Sequence, residues 1–387
     1  MKGPTMMLSP LRPGSAAKAF AALVALAVSA PTGSAAAAKF AMPRLLGKLE
    51  VSKPAFLSLE ETGSSGGKSL IVSSFNPFGG DRITVVEDVG SHMANPGGAT
   101  FVDMGAVRWP NETRMVPGEM LSGGADGELL AVAGGFLVPG KSTGAITLVG
   151  MASKRQFKIT HDKKGWFYHR VEFVDMNGDG RLDVLTARAT KPIIGASKGE
   201  LVWLEHPADD ALAGAWKEHV LAEGPDVHFR LADLDGDGSA EIVATEFFSK
   251  RLSLWWREGG RWEGRIIDDA LGSAFDVQVV DLNRDGNFDL LVTNHEADAA
   301  AAVFAYVVPK DLRGGSFERH TLLEGIETRQ GGIRQASPGA AVAFQPYSKV
   351  SAGKPFILVN GDGSQRAHLL VPKSQDKGDW SYEERIL

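Results

Sequence analysis

The sequence predicts an all-β fold of repeated four-stranded blades, a β-propeller, on three observations. A nonapeptide occurs three times: Asp175-Met-Asn-Gly-Asp-Gly-Arg-Leu-Asp183, Asp233-Leu-Asp-Gly-Asp-Gly-Ser-Ala-Glu241 and Asp281-Leu-Asn-Arg-Asp-Gly-Asn-Phe-Asp289. Each copy runs into a short apolar, partly β-branched stretch that reads as a strand. The glycine at the sixth position has counterparts along most of the chain, at Gly67, Gly127, Gly180, Gly238, Gly286 and Gly353. The intervals are 60, 53, 58, 48 and 67 residues, room for four short strands each.

Six blades follow from this count, with a seventh, degenerate one possible in Asp88–Met120, where Phe101-Val-Asp-Met is a candidate strand. Second strands are expected at Ser69–Ser74, Leu129–Gly134, Leu182–Ala187, Glu241–Thr245, Phe288–Thr293 and Pro355–Asn360. Third strands are expected at Arg82–Val86, Ala145–Val149, Glu200–Glu205, Arg251–Trp256, Ala302–Val308 and His368–Val371. Fourth strands open on an aromatic at Trp216, Trp262, Phe317 and Trp380, and a large ring at a recurrent position reads as inter-blade packing. Asn360-Gly-Asp-Gly363 follows a second strand and reads as a hairpin turn.

The nonapeptides place side-chain oxygens at positions 1, 3, 5 and 9 around a glycine, which suits a hard cation such as Ca²⁺. They are not EF-hands, because position 12 is Thr186, Ala244 or Val292 and strands follow. The expected ligands are Asp175, Asn177, Asp179 and Asp183; Asp233, Asp235, Asp237 and Glu241; and Asp281, Asn283, Asp285 and Asp289. Backbone carbonyls of Arg181, Ser239 and Asn287 complete the shells, as position 7 does in comparable loops. The counterparts in the other blades keep glycine and lose the oxygens, so no metal is expected there.

These loops resemble the FG-GAP/VCBS repeat family, calcium-loop propellers of integrin-α type, over about Pro54–Leu387. The resemblance implies that each loop joins the first and second strands of a blade, with all the loops on one face. The opposite channel mouth would then collect residues of strand 1. Glu172, Arg230 and Gln278 form one tier there, with Glu119 and Gln345 from degenerate blades, and Arg170, His228 and Asp276 form a second. Arg188, Glu246, Asn294 and His295 are placed nearby, and His161 and His169 could join. A His228–Asp276 pair could serve as an oriented base, with Arg170 or Arg230 holding an anion. The resemblance implies binding of a glycan, a small molecule or an extracellular protein at this mouth. The alternative is a small-molecule enzyme, since some secreted fungal members of the group resemble sugar dehydratases or cycloaddition catalysts. No catalytic residue of theirs is matched here.

Composition bounds the rest. The chain has 387 residues, a formal charge of −6 and no cysteine, so no disulfide staples it. The acidity and the lack of a basic patch argue against nucleic acid. Residues 1–38 read as a secretory signal peptide. Lys2, Arg12 and Lys18 are unopposed by acids, Ala19–Ala30 is apolar, and Ala35–Ala38 offers small residues for cleavage. The apolar run is too short to span a bilayer. Residues 39–53 form a lead-in, and 54–387 the propeller. The expected location is extracellular, with an organelle lumen as the alternative. Asn111-Glu-Thr113 is a glycosylation sequon.

Overall fold

A computed structural model describes residues 43–63, 67–137, 141–192, 194–329, 336–346 and 353–387. The leader at 1–38 lies outside the described residues, as does most of the degenerate loop at 348–353. Among the described residues the chain forms six four-stranded antiparallel sheets, each with its strands in sequence order. Among the described residues helix is limited to three short 3-10 turns.

Blade 1 holds β1 (Pro54–Thr62), β2 (Gly67–Ser74), β3 (Arg82–Val86) and β4 (Phe101–Asp103). Blade 2 holds β5 (Pro110–Met115), β6 (Leu129–Gly134), β7 (Ile146–Gly150) and β8 (Gln156–Lys158). Blade 3 holds β9 (Trp166–Val174), β10 (Asp183–Thr190), β11 (Lys198–Glu205) and β12 (Lys217–Glu223). Blade 4 holds β13 (Phe229–Ala232), β14 (Glu241–Glu246), β15 (Arg251–Glu258) and β16 (Arg261–Asp268). Blade 5 holds β17 (Ala274–Val280), β18 (Asp289–Asn294), β19 (Ala302–Val307) and β20 (Glu318–Glu324). Blade 6 holds β21 (Ala341–Phe344), β22 (Phe356–Asn360), β23 (Ala367–Pro372) and β24 (Tyr382–Ile386). There is no seventh blade here, because Phe101–Asp103 is the outer strand of blade 1 and pairs with β3.

Apolar second strands are flanked on both faces, so their side chains are buried throughout, as in β6, β14 and β18. Shared apolar clusters bind neighbouring blades. Leu129 and Leu148 meet Val171 and Val184 across blades 2 and 3, and Val243 and Leu254 meet Val277 and Leu290 across blades 4 and 5. Trp216 is inside one such cluster, and Trp262, Phe317 and Trp380 pack against others. Among the described residues no shared cluster joins blades 6 and 1, whose apolar groups around Phe344 and Leu59 stay separate. That seam borders a cavity lined by Pro54–Ser58 of blade 1 and Val342 of blade 6.

Candidate functional site at the channel mouth

The three acidic loops join strands 1 and 2 in one register: Val174 opposite Asp183, Ala232 opposite Glu241 and Val280 opposite Asp289. They therefore share one face of the ring. Their turns need glycine for conformation, not space. Gly180 sits at φ 86° and Gly238 at φ 87°, with nothing within 4 Å of an added Cβ. The first carboxylate of each loop caps the turn. Asp175 accepts from Gly178 N–H (2.7 Å) and Gly180 N–H (2.8 Å), and Asp233 accepts from Gly236 N–H (2.8 Å) and Gly238 N–H (3.0 Å).

The donor set fits a cation. Ligand oxygens of Asp233, Asp235 and Asp237 all lie within 4.8 Å of one another. In the third loop Asp289 Oδ2 accepts from Leu282 N–H (2.9 Å), while its buried Oδ1 has no hydrogen-bond partner. Burial, with neighbouring carboxylates adding to it, pushes Asp289 and Glu241 up to about 7. A cation would relieve that repulsion. Asp183 is committed differently: it accepts from His206 N–H (2.8 Å) and Met176 N–H (2.9 Å).

On the opposite face a cavity of ≈ 470 Å³ opens into the channel, lined by residues of all six blades. Its polar wall holds Glu60, Glu112, Arg114, Arg170, His228, Arg230, Asp276 and Gln278. Phe56, Phe75 and Phe275 form much of its apolar wall. Five of the eight residues in the two expected tiers thus line one cavity, Arg170, His228, Arg230, Asp276 and Gln278, and a sixth, Glu172, bridges two of its arginines.

Bulges at the far end add to the side chains that arrive. β1, β5, β9 and β17 each carry a register shift at the end away from the acidic loops. In β9 the extra residue is His169, between the pairs Ala187–Arg170 and Arg188–Tyr168. In β17 it is Phe275, between Ala274 and Asp276. A bulge resets strand alternation and re-aims neighbouring side chains.

The charges form a network. Glu172 bridges Arg114 and Arg170, and Arg170 also pairs with Glu112 at 2.8 Å. Burial opposes the charge on Glu172, but Arg114, Arg170 and Arg230 outweigh it and hold the carboxyl down at about 2. Arg230 is held more loosely, 3.7 Å from Asp276 with one N–H to Phe229 O at 3.1 Å. Burial and the nearby Arg170 pull Arg230 down to about 10. His228 Nδ1 lies 3.3 Å from Asp276 Oδ1, an electrostatic contact aligned too poorly for a hydrogen bond. His169 stands edge-on to His228, with ring centroids 5.9 Å apart. Burial and His228 hold His169 down to about 3, so it is neutral.

Glu60 goes the other way, pushed up to about 7 by burial against the pull of Arg114. An acid whose folded pKa is raised adds stability below its unfolded value near 4.5 and loses it as pH rises toward 7. Glu60→Gln is therefore expected to stabilise the fold by about 2–3 kcal/mol at pH 8 and to change little at pH 5. Urea unfolding at the two pH values checks this; destabilisation at pH 8 would contradict it.

Several expected neighbours lie elsewhere. Glu119 is exposed in a turn beyond β5, and blade 2 supplies Glu112 and Arg114 instead. Gln345 follows β21 toward the loop face, and Val342 lines the cavity for blade 6. Arg188 turns outward and is fully buried against Glu200 (2.5 Å) and Glu218 (2.6 Å). Glu246 pairs with Arg251 at 2.7 Å, and the Asn294 amide donates to Leu271 O and Ala300 O. His161 is exposed. His295 does reach the rim and stacks on Phe275 at 5.0 Å. Asn111 is 1 % exposed in β5, and its amide donates to Gly135 O (3.0 Å) and Tyr168 O (2.6 Å). A glycan would break both bonds, so the folded propeller does not present the sequon.

Sequence reading missed an aromatic arc around this mouth. Phe75 stacks on Trp109 (4.3 Å), Trp109 on Phe136 (5.0 Å), and contacts continue through Phe167, Phe248, Phe247 and His295 to Phe275. Carboxylates position it. Asp81 accepts from Trp109 N–H (2.9 Å), and Asp226 from Phe247 N–H (2.6 Å) and Phe248 N–H (2.9 Å). The signal was present: Phe75, Phe136, Phe247 and His295 each come one or two residues after a second strand.

Fold and loops together define a six-bladed propeller with oxygen-rich turns on one face and a charged, ring-edged cavity on the other. The FG-GAP-like repeat family model matches residues 233–292, from the second acidic loop into β18. That match and the six-bladed ring fit an FG-GAP/VCBS repeat propeller. A crystal structure of glucose dehydrogenase is similar at 12% identity and a TM-score of 0.35, covering 73% of this chain and 87% of that one. A likeness so weak bears on neither activity nor substrate. No curated protein matches the sequence. Among the described residues no helix is long and apolar enough to cross a membrane.

Proposed function

We propose that this protein is a secreted, calcium-stabilised propeller that binds a sugar-sized molecule carrying a carboxylate in the channel mouth. One observation carries the reading: all six blades contribute to a ≈ 470 Å³ cavity with a loosely held arginine and apolar phenylalanine faces on its wall. Such a cavity suits a small ligand better than a protein surface, because its polar groups converge inward. Phe56, Phe75 and Phe275 offer ring faces to the C–H face of a sugar, and Asp276, Gln278 and Asn360 offer hydrogen bonds to hydroxyls. Arg230 can turn its guanidinium to a carboxylate at the cost of one long ion pair.

Calcium belongs to this reading as a structural ion. Asp175, Asn177 and Asp179 with Asp183, and the corresponding residues of the other two loops, would hold it and supply no chemistry to the cavity. Secretion rests on the leader-like first 38 residues, and the absence of cysteine leaves calcium as the candidate staple.

The test is titration calorimetry of the mature chain with glucuronate, galacturonate and the parent neutral sugars. Arg230→Ala is expected to weaken uronate binding by about 10- to 100-fold, the worth of one charged hydrogen bond. No binding of any of these sugars at millimolar concentration rejects the sugar-acid reading.

A second reading has its own support. Glu60 near 7 and Glu172 near 2 are carboxylates of one network driven apart by their surroundings, the pattern of an acid set beside fixed charges. With His228 and Asp276 in the same cavity, this suits a lyase or dehydratase that moves a proton. Loss of turnover of a uronate or ketose in Glu60→Gln, the variant expected to be more stable at pH 8, would favour this enzyme reading.

A further inference from the structure

Blade 6 carries a second constellation, apart from the channel. A 3-10 turn at Asp362–Ser364 links β22 to β23 and places Ser364 Oγ 3.1 Å from His368 Nε2. His368 Nδ1 lies 2.6 Å from Glu384 Oε1 on β24. Leu370, two residues beyond His368 on β23, pairs with Glu384, so the carboxylate reaches the ring diagonally across adjacent strands. A carboxylate so close to Nδ1 keeps the proton there and leaves the Nε2 lone pair to accept from the serine hydroxyl. Ser364 is 2 % and His368 4 % exposed, while Glu384 stands at the surface.

Two further observations set this apart from an incidental hydrogen-bond chain. Gly361 has an ordinary φ of −76°, so conformation does not require glycine there. A Cβ on it would fall 2.0 Å from Ser364 Oγ, 2.3 Å from the Arg366 carbonyl oxygen and 3.0 Å from His368 Nε2, so the glycine leaves room both for the close turn and for serine and imidazole to meet. The group also faces space: a cavity of ≈ 180 Å³ is lined by Ser364, His368 and Glu384 together with Arg329 and Arg366. Backbone bonds pin the turn, from Gly363 N–H to Ala336 O (3.0 Å) and from Arg329 N–H to Gly363 O (2.9 Å).

We propose that Ser364, His368 and Glu384 form a serine hydrolase site for short-chain esters on the side of blade 6. Ser364 Oγ attacks the ester carbonyl carbon while its proton passes to His368 Nε2. The bond to the alkoxy oxygen then breaks, and His368 returns the proton to the leaving alcohol. Water reverses the sequence: it gives a proton to His368, its oxygen bonds the acyl carbon, and the acid leaves as Ser364 regains its hydrogen. Arg329 and Arg366 are the cations on this wall available to the oxyanion. The small volume limits the acyl group to about the size of acetyl or propionyl.

The experiment is labelling of the full chain with a fluorophosphonate probe, peptide mapping, and hydrolysis of 4-nitrophenyl acetate. Wild type is expected to be labelled on Ser364. Ser364→Ala is expected to lose the label and to cut hydrolysis at least 100-fold while melting like wild type. His368→Gln is expected to slow both reactions by 100- to 10,000-fold. Glu384 acts through His368 as a positioning residue, so Glu384→Gln should lower kcat with KM unchanged, and Glu384→Asp should restore part of it. Absence of label from folded wild type, label on another residue, or undiminished hydrolysis by Ser364→Ala overturns the proposal.

Discussion

Stripping divalent cations with EDTA is expected to lower the melting temperature by ~10 °C or more, and added Ca²⁺ should restore it. An ion that binds only the folded state stabilises it by about 2.7 kcal/mol when present at 100 times its Kd. Three independent loops would together contribute ~8 kcal/mol, and in a domain this large each kcal/mol moves the melting point by roughly 1–2 °C. The cation-free loops carry a cost that makes the effect plausible in size: Glu241 and Asp289 are pushed up to about 7. Mg²⁺ should restore less, because it demands octahedral geometry and gives up water reluctantly. Asp233→Ala should remove about one third of the calcium effect. Calorimetry with and without chelator decides. An unchanged melt, in protein shown by elemental analysis to be metal-free after treatment, removes calcium from the account.

The second large effect is expected at Glu172. Glu172→Ala leaves Arg114 and Arg170 buried without their shared carboxylate, and Arg170 keeps only Glu112. Breaking one partner out of a buried ion pair costs about 3–5 kcal/mol. The loss should depend on pH. The carboxyl is held down at about 2 from an ordinary 4.5, so its contribution is present above about 4.5 and fades as pH falls through 2. The shift corresponds to about 3 kcal/mol. Urea unfolding of wild type and variant should therefore differ widely at pH 7 and converge near pH 2.5. A difference that is small at pH 7, or constant with pH, would show that the bridge does not brace the fold.

Strand order and blade count were legible because their code is local. In Asp281–Asp289, oxygens at alternate positions and a glycine at the sixth make the turn without help from distant residues, and Leu290–Val292 continue as a strand. The same holds for the tiers of strand 1 that point into the channel. Counting back from each loop by twos reaches Glu172 and Arg170, Arg230 and His228, Gln278 and Asp276, because all three blades keep one register.

Counting failed where a bulge or a degenerate loop broke the period. In blade 2 the loop retains its glycine but not its length, so the count from it reaches exposed Glu119, while Glu112 and Arg114 hold the place in the cavity. In β9 the unpaired His169 shifts the register, and Arg188, opposite Tyr168 on β10, turns away to Glu200 and Glu218. A sequence records the order of residues along a strand, but an extra residue is invisible until its partner strand is placed beside it.

The sequence by itself determined the repeat, the acidic turns and the face on which they gather, since these follow from spacing along one segment. Only the tertiary structure decided that four inner strands bulge at the far end, and that rings from five blades close into an arc. It alone also set Ser364, His368 and Glu384 around the space left by Gly361. Those relations join residues of different strands and blades, and their distances exist only once packing has brought the strands together.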